Sequence, residues 1–319
     1  MKTKSSRLII ALVILTMFPV FIVAQEKEGK INLVTRETSL GKIHSFIVVE
    51  SLTVSPDSKR VAYMARHGTK WLVVVDGVEG EVYVGWGTTL IFSPDSKRVA
   101  YAAGRVGKGG AGSSFVVVDG VEGKEYEGIG VGSPIFSPDS KRVAYTAGRG
   151  EKSFVVVDGV EGKEYEGGTA ALIFSPDSKR VSYVAGRGGE HFVVVDGVEG
   201  KEYDGIGEGS PIFSPDSKRV AYTAGRGGEQ FVVVDGVEGK EYDLIGGTTL
   251  IFSPDSKRVS YVAGRAGKQF VVIDGRGGKE YDAFLGGSKL VFDSPKTLHG
   301  LAFRDSEIFR IEVELVEKE

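Results

Sequence analysis

Cysteine is absent from the 319 residues. That excludes a disulfide framework, a thiolate metal site, a cysteine nucleophile and a lipid-bearing cysteine behind an N-terminal apolar run, so the fold must hold by packing. Histidine is scarce. His44, His67, His191 and His299 lie at different places in the chain and never form the i, i+4 pair of a zinc-binding helix. No Gly-x-Ser-x-Gly elbow occurs, and a hydrolase would need a nucleophile beside a base. These absences read as no enzyme, no metal and no cofactor. A concentrated basic run is missing too, and the formal charge is −3, which speaks against duplex nucleic acid as a partner. The longest apolar run, residues 8–23, is interrupted by Pro19 and falls short of the roughly 20 residues of a membrane span.

That run follows Lys2, Lys4 and Arg7 and ends at Ala24 before the polar Gln25, the layout of a secretory signal peptide over 1–24. Ile22 is bulkier than the small residue preferred before a cleavage site, so an uncleaved anchor stays open as the alternative. Either way the rest of the chain is expected outside the cytoplasm, periplasmic or secreted, with no membrane insertion once the signal is cleaved. Residues 25–40 are polar and read as a linker.

What the chain has in abundance is glycine, 46 residues, and repetition. Ser-Pro-Asp-Ser-Lys-Arg begins at Ser55, Ser93, Ser137, Ser175, Ser214 and Ser253, and an eroded seventh copy spans residues 292–295. A period near 40 residues marks an array of small sheets. In the copy at 248–282, residues 249–252 form a short apolar strand running into Ser253-Pro254-Asp255-Ser256. There proline presets a turn that the flanking Ser and Asp can bond. Residues 258–263 form the second strand and 270–273 the third, rich in β-branched and aromatic residues. Asp274-Gly275 turns into a polar fourth strand at 279–282, suited to an outer edge. The third strand is apolar without alternation in every full copy, as at 115–118, 154–157, 192–195 and 231–234. Both its faces must therefore be covered, as radial packing of blades requires.

The last copy supplies strands at 289–292, 300–304 and 308–313 but no fourth. Aligned backward from Ser55, Gly41-Lys42-Ile43-His44 falls on the register of Gly239-Lys240-Glu241-Tyr242. The fold expected over 41–319 is all-β: a seven-bladed β-propeller of four-stranded antiparallel blades, its ring closed by that N-terminal strand.

The Phe-Ser-Pro-Asp-Ser-Lys-Arg-Val-Ala-Tyr core, as at 136–145, resembles the WD40-like propeller repeat of the Tol-system periplasmic protein, also found in tricorn-type and prolyl-oligopeptidase-type peptidases. The resemblance covers residue 41 to the C-terminus. It implies a propeller, and in those families the activity or partner site uses a second domain, for which these residues leave no room. Ser58 and its equivalents stand where the family usually has Gly.

In an up-and-down blade the Ser-Pro-Asp-Ser and Asp-Gly-Val-Glu-Gly turns share one face, and the second-to-third hairpins and blade linkers share the other. The first set is nearly invariant and the second varies, with extra residues at 106–114. Loops on a rigid scaffold are where binding usually resides. Arg66, Arg105, Arg149, Arg187, Arg226 and Arg265 each follow a second strand and could form a ring of guanidinium groups for peptide carboxylates, an acidic protein or an anionic glycan. The competing reading pairs each with the acid after the fourth-strand tyrosine, Glu127, Glu166, Asp204, Asp243 or Asp282. Asp76 and its equivalents lack the ligand series of a calcium loop and read as turn residues. Trp71 is expected in a core and Trp86 in a linker on the variable face, where it could contact sugar or protein. The function expected is a protein-binding or scaffold module of the cell envelope, taking a protein or peptide partner. The alternative is a carbohydrate or anionic-polymer binder with repeated equivalent sites.

Overall fold

The computed structural model describes residues 35–40, 42–43, 46–106, 112–285 and 289–316. The expected signal, most of the expected linker, Gly41 and His44 of the expected closing strand, and residues 107–111 of the insertion lie outside the described residues. Residues 35–40 carry no helix or strand, and Leu40–Glu319 forms one compact unit.

That unit consists of seven antiparallel sheets taken in chain order, and a 3-10 turn at Val49–Ser51 is the one helical element among the described residues. The fold is an all-β propeller of seven blades. Blade 3 is typical. Its second strand, Val143–Arg149, pairs with Ile135–Phe136 on one side and Lys152–Val157 on the other, and Val160–Glu161 follows. Gly128–Ile129 also pairs with the second strand, so the first-strand position is filled in two pieces with Pro134, which has no N–H to donate, between them.

Alternation along the strands divides the core between neighbours. Val143, Tyr145, Ala147, Phe154 and Val156 pack against Val116 and Tyr126 of blade 2, while Ala144, Val155 and Val157 pack against blade 4. Equivalent clusters join blades 1 and 2, 4 and 5, 5 and 6, and 6 and 7. This explains the apolar third strand, because each of its faces belongs to a different inter-blade core. Burying one such Phe or Val contributes about 1.5–3 kcal/mol.

The fourth strand departs from expectation. In blades 2 to 5 it is two residues long, as at Val160–Glu161, followed by a single bridge such as Ser153 with Tyr165. Its tyrosine is core rather than polar edge. Tyr126 is 5% exposed and meets Phe154 of the next blade edge-on at 5.5 Å.

Closure by residues 41–44 is not seen among the described residues. Lys42 and Ile43 form no strand, and the Lys42 carbonyl accepts the Tyr63 hydroxyl of blade 1 at 3.3 Å. Blade 1 packs Tyr63, Ala65, Leu72 and Val74 with Ile47, and no cluster of described residues joins it to blade 7.

Candidate functional site

The six-residue repeat is a clasp between blades. In blade 3 the Ser140 N–H donates to the Ser137 carbonyl, closing the turn, and the Ser137 hydroxyl donates to Asp139. That bond and the Lys141 N–H hold the Asp139 carboxyl below its usual pKa. The Asp139 N–H then crosses to blade 4 and donates to Ser178 Oγ at 2.9 Å. Arg142 donates through Nε to Asp158 of its own blade at 2.7 Å and through Nη1 to the Ser178 and Lys179 carbonyls of the next. Its guanidinium also lies 5.3 Å from the Phe174 ring. Asp158 sits in a left-handed turn (φ 53°) with Gly159 (φ 80°) and accepts the Val143 N–H, so the aspartates of the second turn are structural, as the sequence suggests.

The clasp recurs at five boundaries, where Asp57, Asp95, Asp139, Asp177 and Asp216 donate to Ser96, Ser140, Ser178, Ser217 and Ser256. This accounts for serine where related repeats carry glycine. The position is left-handed, with φ 58–66° from Ser58 to Ser256, which suits glycine, but the hydroxyl is the acceptor for the preceding blade. Blade 7 has lost the motif, and among the described residues Arg258 keeps only Asp274.

On the opposite face the arginines stand differently from expectation. Strand register places Arg66 opposite Trp71 and His67 opposite Lys70, whereas Arg149 lies opposite Lys152. Arg66 thus occupies the position of Gly148, one residue off the series, and alternation sends it to the other side of its strand. It lies over Trp71 at 5.2 Å. The sixth member is Arg304 of blade 7, opposite Glu307, which the sequence reading missed because no Ser-Pro-Asp-Ser motif marks its repeat. The same register puts Leu72, 1% exposed, at the position of Phe154, and Trp71 at that of Ser153.

The remaining arginines are engaged, four of them with acids of their own blades and Arg265 with the preceding blade. Arg105 pairs with Glu122 and Glu125, Arg149 with Glu161 and Glu164, Arg187 with Glu199 and Glu202, and Arg226 with Glu238. Arg265 donates to the Glu241 carbonyl. Each of Arg105, Arg149, Arg187 and Arg226 also covers the third-strand Phe at 4.6–4.9 Å. The acids precede the tyrosine, not follow it, because an arginine lying across the third strand reaches the fourth. Glu127, Asp204, Asp243 and Asp282 instead accept backbone N–H groups of the next hairpin, at Gly150, Gly227, Ala266 and Asp305. Lys124, Lys163 and Lys201 reach Glu161, Glu199 and Glu238 of the following blade. Those three glutamates are held at a pKa of about 2, first by the lysine and then by the arginine.

The solved structures it resembles include propellers. TolB from Acinetobacter baumannii is 18% identical with a TM-score of 0.34, over 69% of this chain and 62% of that one, so this chain spans under two thirds of that protein's length. The β-propeller domain of the Trilobed protease from Pyrococcus furiosus is 15% identical with a TM-score of 0.37, over 85% and 98%, and the Dos1 propeller is 10% identical with a TM-score of 0.44, over 82% and 76%. No family model matches the sequence. No curated protein matches it either.

Three equivalent clefts open between blades of the propeller on the invariant-turn side, with volumes of about 420, 410 and 270 Å³ between blades 1 and 2, 2 and 3, and 3 and 4. In the first, Val75 and Val78 of one blade face Lys97 and Tyr101 of the next. Another, of about 670 Å³, runs along the first strands of blades 4 and 5 between Ile173, Pro176, Pro211 and Ile212. Trp86 belongs to the first strand of blade 2, Gly85–Phe92, opposite Ala103, not to a linker; its side chain is outside the described ones. Among the described residues no group of three or more His, Asp or Glu could hold a metal, and no helix is long and apolar enough to cross a membrane.

Proposed function

We propose that this chain is an exported, non-enzymatic propeller that serves as a protein-binding scaffold in the cell envelope. One observation carries the reading. The side chains repeated from blade to blade are occupied in blade-to-blade and strand-to-strand bonds, so repetition here serves rigidity, and what differs between blades is the set of second-to-third hairpins. Those hairpins carry Gly68 and Thr69 in blade 1, Gly150 and Glu151 in blade 3, Gly188 and Gly189 in blade 4, and Ala266 and Gly267 in blade 6. Loops that vary on a fixed frame suit a single protein or peptide partner. Arg105, Arg149, Arg187, Arg226 and Arg265 serve this face by fixing the hairpin bases, and Trp86 is the second residue of the strand that begins at Gly85.

The test is crosslinking in cells that express the full chain, with and without exchange of the blade 3 and blade 4 hairpins, together with fractionation. One protein captured from the envelope by the parent and lost on hairpin exchange supports the scaffold. A chain retained in the cytoplasm, or capture indifferent to the exchange, refutes it.

The clefts between blades favour a second reading, a carbohydrate or anionic polymer bound at repeated equivalent sites. Polysaccharide recovered in place of protein, and lost on changing Lys97, Lys141 and Lys179 to Ala, selects it.

A further inference from the structure

A repeated bond joins the outer strands of neighbouring blades. Lys124, Lys163 and Lys201 reach Glu161, Glu199 and Glu238 of the next blade at 2.5–2.6 Å. Each ammonium also lies 5.7–5.9 Å from the centre of the tyrosine ring two residues further on, at Tyr126, Tyr165 and Tyr203. Residues two apart on a strand share a face, so lysine and tyrosine both look toward the neighbouring blade. The place beside the glutamate thus suits an ammonium group, with a carboxylate to accept its N–H and the face of a phenol ring to hold its charge.

Between blades 1 and 2 the same frame carries the opposite charge. Trp71 pairs with Tyr83 and Val75 with Val78, as Ser153 pairs with Tyr165 and Val157 with Val160 in blade 3, so Glu81 holds the position of Lys163. The rest of the frame is present. Tyr83 is buried and meets Phe115 of blade 2 edge-on at 5.5 Å, against 5.6 Å for Tyr165 and Phe192. Arg105 holds Glu122 as Arg187 holds Glu199. Burial raises the pKa of the Tyr101 hydroxyl of blade 2, the Tyr83 hydroxyl offsets this in part, and the charges of Glu122 and Glu81 add to the rise, so both carboxylates act on this pair of phenols. Among the described residues no cation pairs with Glu81. The buried Tyr83 hydroxyl, like those of Tyr126 and Tyr165, has no hydrogen-bond partner, whereas that of Tyr203 donates to Glu238. Lys163, Arg187, Glu199 and Glu202 balance in charge, while Glu81, Arg105, Glu122 and Glu125 leave an excess of two negative charges.

We propose that the boundary between blades 1 and 2 binds an alkylammonium group in the place that Lys124, Lys163 and Lys201 fill at the next three boundaries, its N–H groups donating to Glu81 and Glu122 and its charge lying over the Tyr83 ring. An organic cation suits the frame better than a metal ion, since among the described residues no group of three or more acids or histidines could hold one. The group belongs either to a lysine of a partner protein or to a small primary amine. The site is separate from the second-to-third hairpins, so its test and theirs fail independently.

The experiment titrates the full chain, labelled at tyrosine, with n-butylammonium at constant ionic strength and reads the ring signals by NMR, with sodium and tetramethylammonium as reference cations. Saturable shifts at Tyr83 are expected, with an affinity about tenfold or more above that of either reference cation, because neither can donate a hydrogen bond to the carboxylates. Glu81→Lys supplies the chain's own ammonium, and is expected to abolish the response and raise the urea midpoint. Glu81→Gln removes the charge without filling the place, and is expected to weaken binding about tenfold. Lys163→Glu moves the arrangement to blades 3 and 4, and is expected to add a second saturable response at Tyr165. Shifts no stronger than those with sodium, a response that survives Glu81→Lys, or a folded Lys163→Glu variant without the second response overturns the proposal. Acetyl-Gly-Lys-Gly-amide bound as tightly as butylammonium assigns the group to a lysine of a protein; binding of the free amine alone assigns it to a small amine.

Discussion

Glycine substitution separates the two roles of the left-handed serines. Ser178 (φ 66°) is 3% exposed and accepts the Asp139 N–H of the preceding blade at 2.9 Å. Ser58 has nearly the same backbone (φ 58°), but among the described residues no preceding clasp reaches it, since the motif is eroded in blade 7. A Cβ in this region costs about 1–2 kcal/mol, and an intramolecular hydrogen bond contributes about 0.5–1.5 kcal/mol net. Ser58→Gly relieves the backbone without losing a bond and is expected to stabilise the chain by about 1 kcal/mol. Ser178→Gly gains the same relief but loses the clasp, so the two effects nearly cancel. Ser178→Ala keeps the Cβ and loses the bond, so it is expected to destabilise by about 1 kcal/mol. Urea midpoints at constant m give the order Ser58→Gly, parent, Ser178→Gly, Ser178→Ala. A neutral Ser178→Ala would falsify the clasp as a source of stability, and Ser58→Gly below the parent would refute the strain argument.

Arg142→Lys removes the fork that joins Asp158 to two carbonyls of the next blade. Because the side chain is 30% exposed, a loss of about 1–2 kcal/mol is expected by chemical denaturation. Phe154→Ala empties a fully buried site between blades 2 and 3 and is expected to cost about 3–5 kcal/mol, read from the same curves. Glu161, Glu199 and Glu238 have folded pKa values near 2, below the usual carboxylate range. Their contribution is therefore complete above about pH 4.5 and is lost as pH falls through about 2. A parent whose midpoint falls over that window, beside a Gln triple variant with a flatter profile, is the expected result. Changing Arg149, Arg187 and Arg226 to Ala is expected to lower stability at low salt and much less at high salt, since these pairs are exposed.

Much of the fold is legible in the sequence because each blade is a local hairpin series. The period, the Pro and Asp-Gly turns and the four-residue apolar third strands determine seven antiparallel sheets with covered faces before any long-range contact is known. The tight turns were readable for the same reason, since Ser137 bonds within its own hairpin and Asp158 within its own blade. What the sequence left undecided depends on register and on neighbours. One residue of slippage turns a side chain to the other face, so Arg66 looked like a ring member until pairing placed it opposite Trp71 and brought Arg304 into the series. Tyr126 sits in a polar tetrapeptide, and only the next blade, with Phe154 against it, makes it core. Its recurrence in every fourth strand was the available signal. The partners of Ser178 and Arg149 lie on another blade and another strand, and no local pattern specifies them. The chain by itself determined the repeating blade and its turns; contact between blades, a matter of register and proximity across some 40 residues, decided that the repeated polar side chains are clasps.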